Sequence, residues 1–344
     1  MESIINNDEL IKYYNFNEDC SCISIGTKNG FKIILCEPYD NHYEYNLGSE
    51  IEIIEMYKSS NILAFTGSEK NSKFPENKLI IWDDNKKEII KELRIISKIR
   101  IIKIIKNILF LVNDIKIYIF NFPSLTLYAS FEIYSFKKEI ISFNVNNVIK
   151  IAYLKNMNNI YIKHIKLYKN TKIKLLQCNK DNEQPYTYLQ FNTKGNILAA
   201  GCKDFIYLYN SSNGECIKEI TNNYIKEGNI NCIQFSKDDK FLGISNGYKD
   251  KYKIMIFDVG IKKETNIFDN IFNYVIKLDD KCFAYYDLNF GDFLFGFDKN
   301  DKIIIITLKG DFFKISFDTK NGGNCKLIES KKLFNYLKED LLKK

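Results

Sequence analysis

Leu79-Ile80-Ile81-Trp82-Asp83 is a short apolar run closed by a polar turn residue, and the same shape recurs along the chain. It returns as Phe31-Lys32-Ile33-Ile34-Leu35-Cys36-Glu37, Ile117-Tyr118-Ile119-Phe120-Asn121, Tyr161-Ile162-Lys163-His164-Ile165-Lys166, Ile206-Tyr207-Leu208-Tyr209-Asn210, Ile254-Met255-Ile256-Phe257-Asp258 and Phe312-Phe313-Lys314-Ile315-Ser316-Phe317-Asp318. From Glu37 to Asp318 the closing residues are spaced by 46, 38, 45, 44, 48 and 60 positions. Runs this short, rich in β-branched and aromatic residues and separated by Asn, Asp and Gly, read as strands rather than helices. A period of roughly 40 to 50 residues fits one four-stranded sheet per interval, as in WD repeats. The sequence therefore predicts an all-β chain folded as a seven-bladed β-propeller of WD-repeat type.

A second register agrees. Phe191-Asn192-Thr193-Lys194-Gly195-Asn196-Ile197 and Phe235-Ser236-Lys237-Asp238-Asp239-Lys240-Phe241 share a strand, turn, strand pattern and lie 44 residues apart. Trp82-Asp83 is the one literal Trp-Asp pair, so the repeat is degenerate, and the fourth blade, from about Ile140 to Leu175, fits it least well. The last interval is the longest, and its excess falls just after Asp258, which predicts an insertion in or next to the sixth blade. Each blade has an apolar face that only its neighbour can cover, so residues 1–344 are expected to form one domain. Leu333, Phe334, Leu337 and Leu341 recur at helical spacing, and residues 330–344 are expected to form a small docked helix.

Composition narrows the function classes. The 344 residues carry 50 Lys+Arg against 43 Asp+Glu, a net charge of +7, yet only Arg94 and Arg100 are arginine. Lysine attracts anions as a point charge but lacks the bidentate fork with which arginine reads phosphate. No apolar run is long enough to span a bilayer, and the acidic start lacks a signal peptide's features, so a cytoplasmic protein is expected. Nine scattered cysteines suit reduced thiols better than a disulfide framework. His42 and His164 are the only histidines and fall in different predicted blades, so no nucleophile and base pair is in view and no enzyme is expected. Cys20-Ser21-Cys22 is a lone Cys-x-Cys, which gives no zinc site, and neither a metal nor a cofactor is expected. The stretch from Lys98 to Lys106 reads as a strand with an exposed basic face rather than as a nucleic-acid site, and no Gly-rich phosphate loop occurs.

Gly67-Ser68-Glu69-Lys70-Asn71-Ser72-Lys73-Phe74-Pro75-Glu76-Asn77-Lys78, leading into Leu79-Ile80-Ile81-Trp82-Asp83-Asp84, resembles the second-blade signature of the PROPPIN family. These are seven-bladed propellers of autophagy that bind polyphosphoinositides, and the likeness is greatest to their WIPI branch. Phe16-Asn17-Glu18-Asp19 resembles the family's first blade, and Gly214-Glu215-Cys216-Ile217-Lys218-Glu219-Ile220 the end of its fifth. The resemblance implies two headgroup pockets served by an adjacent arginine pair after blade 5. The matching positions here are Ile220-Thr221-Asn222-Asn223, without arginine, and two further pocket positions fall at Ala200 and Asp204. Ser245 to Lys251 offers no histidine where the second pocket of the family has one.

The pockets therefore read as degraded, although lysines near an anionic membrane still supply about 1 kcal/mol each and allow weak, unspecific association. The family also inserts a blade 6 loop into the bilayer, which here points to Ile267, Phe268, Ile271 and Phe272; the same residues also fit packing back onto the ring. In the WIPI branch the loops of blades 1 to 3 dock the lipid-transfer protein of autophagy, which implies Asn71, Lys73, Phe74, Pro75, Asn77 and Lys78, with Phe74 as a solvent-facing anchor. A loop fixed for folding reasons reads equally well. The expected function is a monomeric, non-enzymatic scaffold in autophagy or membrane trafficking, cytoplasmic or peripheral on autophagic or endosomal membranes. The alternative is a genuine effector of phosphatidylinositol 3-phosphate or 3,5-bisphosphate with a rearranged pocket.

Overall fold

A computed structural model describes residues 11–68, 73–133, 140–156, 158–166, 173–178, 184–221, 225, 228–248, 251–264, 273–276, 282–291 and 293–333. Seven antiparallel sheets follow one another, each with its strands in chain order. The first strands, Ile11–Phe16, Ile51–Met56, Ile101–Ile105, Ile141–Val145, Tyr186–Phe191, Asn229–Phe235 and Phe293–Phe297, are the innermost, and those of every blade but the second line the central cavity. The outermost strands carry the exposed residues: Glu88–Arg94 in blade 2, Thr126–Glu132 in blade 3 and Lys326–Lys332 in blade 7. The expected seven-bladed propeller is the observed fold, and blade 4 is complete, with Val148–Asn156 paired along Asn159–Lys166.

Middle strands are buried on both faces because each blade is covered by two neighbours. Along Ile197–Cys202 every residue is buried. Ile197 and Ala199 turn toward blade 6, while Leu198, Ala200 and Cys202 turn toward blade 4. That is why these strands read as continuous apolar runs instead of alternating ones. Seven apolar clusters result, one for each seam between adjacent blades. Full burial of each Ile, Leu or Phe in them stabilises the ring by about 1.5–3 kcal/mol relative to exposure.

Four blades share one device between their first and second strands. Asn17, Asn192, Ser236 and Asp298 each accept a hydrogen bond from the start of the next strand, at the backbone nitrogens of Cys22, Ile197, Phe241 and Lys302, 2.9–3.0 Å away. Three residues after each cap, Cys20, Gly195, Asp239 and Asp301 adopt left-handed backbone with φ of 57–66°. Short polar side chains compete well for such local bonds, and Asp tolerates this backbone better than most residues.

Blade 6 holds the predicted insertion. Its third strand ends at Asp258, its outermost strand is Ala284–Leu288, and a separate hairpin pairs Ile261–Glu264 with Asn273–Ile276 in between. A two-residue strand from blade 7, Gly323–Asn324, extends blade 6 by parallel pairing with Ala284 and Tyr285. The helix expected from residue 330 does not begin there. Ser330 to Lys332 complete the outermost strand of blade 7 by pairing with Asp311–Ser316, and Leu333 is buried in the seam with blade 1. Residues 334–344, with the rest of that expectation, lie outside the described residues.

Candidate functional site

The edge formed by blades 5 and 6 is where the headgroup positions fall. Ala200 lies on the second strand of blade 5 with no exposed surface, sealed in the seam with blade 4, and Ile220 is sealed in the seam with blade 6. Asp204 sits in the turn that follows. Its carboxylate accepts from Gln184 Nε2 at 2.6 Å, and its carbonyl accepts from the Thr221 hydroxyl at 2.9 Å. Thr221 is thereby folded onto its own blade. At this spot the described groups are a hydroxyl, an amide and a carboxylate, with Lys203 exposed beside them. A carboxylate here repels a phosphate that an arginine would attract. Asn222 and Asn223 lie outside the described residues.

The second pocket position is closed by the chain itself. Ser245 is fully buried on the second strand of blade 6, and Asn246 Nδ2 donates to the Ile225 carbonyl at 3.4 Å. Ile225 is fully buried in the seam between blades 5 and 6. Gly228 approaches so closely that a Cβ there would stand 1.9 Å from Asn246 Oδ1, so only glycine lets the segment lie down. In the insertion, strand Asn273–Ile276 runs beside the outermost strand of blade 5, Cys216–Ile220. Ile267, Phe268, Ile271 and Phe272 lie outside the described residues.

On the loop face of blades 1 to 3, Phe74 is not solvent-facing. It is 3% exposed, stands edge-on to Phe65 at 5.4 Å and belongs to the seam between blades 1 and 2. The reason is the approach of its backbone to Gly67, where a Cβ would meet the Phe74 carbonyl at 1.9 Å. Its neighbours are tied to the ring as well. Lys73 Nζ donates to the Leu47 carbonyl at 2.7 Å, the Pro75 carbonyl accepts from Thr66 Oγ1 at 3.1 Å, Asn77 Nδ2 donates to Ile95 O at 3.3 Å, and Lys78 pairs with Glu92. Asn71 lies outside the described residues. What the face does expose is Ile96, at 92%, and Ile115, at 64%. Beside them Lys98 is held between Glu52 at 2.6 Å and Glu76 at 3.1 Å, and Arg100 grips Asp114 through two bonds of 2.7 and 3.2 Å. Sequence reasoning missed both isoleucines, because an apolar residue in an irregular loop carries no periodicity that tells inside from outside.

The strand from Ile101 to Ile105 also differs from its reading. Lys103 points to the central channel, not to an outer face, and its Nζ lies 2.8 Å from Glu55, a carboxylate enclosed on the first strand of blade 2. Asn15 Nδ2 adds a 2.7 Å bond from blade 1, so one carboxylate joins three blades. Burial pushes the nearby Tyr13 hydroxyl up, and the Glu55 charge adds to that.

Between blades 4 and 5, Lys150 Nζ donates to Ser211 Oγ at 2.7 Å, the spacing of a serine and lysine dyad, and burial pulls the lysine down. Ser211 has no exposed surface and donates to the Gly195 carbonyl, so no substrate reaches it; His164 Nε2 meets the Ser211 carbonyl at 2.7 Å. Among the described residues no group of three or more His, Cys, Asp or Glu is arranged to hold a metal ion.

No family model matches the sequence. Autophagy-related protein 18e of Arabidopsis thaliana is 21% identical over 332 residues, 93% of this chain and 87% of that protein. Autophagy-related protein 18 of Dictyostelium discoideum is 25% identical over 262 residues, 73% of this chain and 66% of that protein. The same-named protein of Debaryomyces hansenii is 31% identical over 132 residues, and the matching part of the chain spans only 24% of its length. Among solved structures, Kluyveromyces lactis Hsv2 superposes with a TM-score of 0.75 at 17% identity, over 94% of this chain and 99% of that one. KlAtg21, solved in complex with the coiled-coil of AgAtg16, gives 0.70 at 16% identity with the same coverage. Seven blades in ring order, a second-blade signature built into the first seam and these relatives agree with the resemblance to the PROPPIN family of β-propellers.

Proposed function

We propose that this protein is a non-enzymatic scaffold of autophagy that docks a protein partner on the loop face of blades 1 to 3 and has given up specific phosphoinositide recognition. The bond from Thr221 to the Asp204 carbonyl carries the second half. It occupies the hydroxyl at a position where the resemblance calls for an arginine, with the Asp204 carboxylate on the residue that accepts it. Each charge-assisted bond to phosphate contributes about 1.5–3 kcal/mol, and every 1.4 kcal/mol lost is about tenfold in affinity. The burial of Ala200 and Ser245 supports the same reading for both pockets.

The names of the relatives support the autophagy setting, and the coiled-coil bound to KlAtg21 supports a protein partner as the cargo of such a ring. By resemblance the partner here is the large lipid-transfer protein of autophagy. Ile96 and Ile115 supply exposed apolar contacts, and beside them Arg100, held by Asp114, is of a residue type enriched among interface hot spots. The ring acts in the cytoplasm, peripheral to autophagic or endosomal membranes; no helix among the described residues is long and apolar enough to cross one.

Flotation with vesicles that contain or lack phosphatidylinositol 3-phosphate, at physiological ionic strength, tests the lipid half. No headgroup-dependent capture is expected, and saturable capture would establish the alternative of an effector with a rearranged pocket. Pull-down of the lipid-transfer protein by wild type and by Ile96→Asp tests the other half, and equal capture would sink the docking face.

A further inference from the structure

First strands and their turns from six blades enclose a central cavity of about 700 Å³, lined from Lys12 at one end to Lys237 at the other. That volume falls in the range of about 300–1,000 Å³ usual for small-molecule sites. The lining charges are of nearly one sign. Lys12, Lys103, Lys106 and Lys237 face the cavity, against Glu18 alone. Two of these lysines are neutralised from the side, Lys103 by Glu55 at 2.8 Å and Lys12 by Glu50 at 3.7 Å.

Lys106 and Lys237 have no such partner. Lys106 Nζ donates to Asn146 Oδ1 at 2.7 Å and Lys237 Nζ to the Glu18 backbone carbonyl at 2.6 Å, and neither lies within ion-pair distance of a carboxylate among the described residues. Asp19 feels Lys237, but its carboxylate is engaged by the Ser21 amide and hydroxyl. Both lysines stand on turns that follow first strands, at the end of the channel where Lys58, Lys194 and Lys299 are exposed on the corresponding turns of blades 2, 5 and 7, and where Asp19, Asp238 and Asp301 stand on those of blades 1, 6 and 7. A concave site whose lining holds more lysines than carboxylates concentrates anions. Point charges on flexible stems suit an anion with several charges and no fixed geometry.

We propose that the central channel binds a small polyphosphate-like anion, admitted past Lys106 and Lys237. This site is separate from the blade 5 and 6 edge and stands or falls without the reading of that edge.

Calorimetric titration of the full chain with inorganic tripolyphosphate tests it, with orthophosphate as the singly phosphorylated comparison and phosphatidylinositol 3-phosphate vesicles as the tethered one. Saturable one-to-one binding of tripolyphosphate is expected, stronger than that of orthophosphate and weakened by salt. It should fall at least tenfold in Lys106→Ala/Lys237→Ala and stay unchanged in Lys320→Ala/Lys326→Ala, on the exposed rim of blade 7. Lys106→Gln alone serves as the second variant if the double one does not fold. Absence of saturable binding, or equal loss in the two double variants, would overturn the proposal. So would vesicle capture that depends on Lys106 and Lys237 while free tripolyphosphate does not bind.

Discussion

Phe74 stands edge-on to Phe65, with ring centroids 5.4 Å apart and planes at 89°, inside the seam between blades 1 and 2. A residue placed there supports the face without touching a partner. Phe74→Ala should destabilise the ring by about 3–5 kcal/mol through the cavity it leaves. Ile96→Asp, at an exposed position, should stay within about 0.5 kcal/mol of wild type. Urea unfolding of the two variants separates support from contact; a Phe74→Ala ring as stable as wild type would return that residue to the surface.

The Glu55 carboxylate is the common acceptor for Lys103 and Asn15. Glu55→Ala strands a lysine that burial disfavours and should cost about 3–5 kcal/mol. Adding Lys103→Met to that background should restore most of the loss, since an apolar side chain of similar volume needs no counter-charge. A double variant no more stable than Glu55→Ala would show that the pair is not what joins the three blades.

Asp83, the acid of the Trp-Asp pair, accepts from Asn61 Nδ2 at 2.5 Å and from the amides of Asn85 and Lys86 at 3.0 and 3.3 Å. Desolvation works to raise its carboxyl, but these bonds outweigh it and hold it below the usual carboxylate value of 3.8. The folded state thus binds this proton less tightly than the unfolded chain. Its stabilising contribution is complete above that ordinary value and disappears as pH falls through the lower, folded one. Wild type should be the more stable protein at neutral pH, with Asp83→Asn drawing level in acid. Parallel stability curves at all pH values would contradict this.

Asp239 ties blade 6 to blade 5. Its carboxylate accepts from Thr193 N at 2.7 Å, Asn192 Nδ2 at 3.0 Å and Lys194 N at 3.1 Å, while its backbone sits at φ 64°. Asp239→Ala leaves all three donors without this acceptor and places a Cβ residue without local hydrogen bonding in the left-handed region, at a cost of about 1–3 kcal/mol. Asp239→Asn keeps an acceptor oxygen and should lose less. Equal melting temperatures for the two variants would argue that the bonds contribute nothing.

The seven closing residues that set the repeat in the sequence fall at or within two residues of the ends of seven third strands, from Cys36 to Ser316. They were legible because third strands are buried on both faces and stop at a polar turn, so they stand out without periodicity. The turn register seen at Phe191 and Phe235 has two further members, at Phe16 and Phe297, hidden because Asn, Ser and Asp all serve as the cap and Cys20 takes the left-handed place. Phe74 and Lys103 were misread for a shared reason. Whether a loop aromatic folds inward, or a strand lysine looks into a channel, depends on a neighbour about ten to fifty residues away, Phe65 or Glu55, that no local pattern announces.

Among the described residues, six seams are crossed by the chain as it passes from one blade to the next, and the seam between blades 7 and 1 is held by side chains alone. During synthesis this gives the blades unequal histories. Ile23 and Ile25 leave the ribosome early, yet the residues that cover them, Ile304, Ile306 and Phe312, follow about 290 positions later. At roughly 5–20 residues per second, that face of blade 1 waits about 15–60 seconds for its cover. That face of the nascent first blade therefore stays uncovered longest, and the arrival of the last blade sets the moment at which the ring can close.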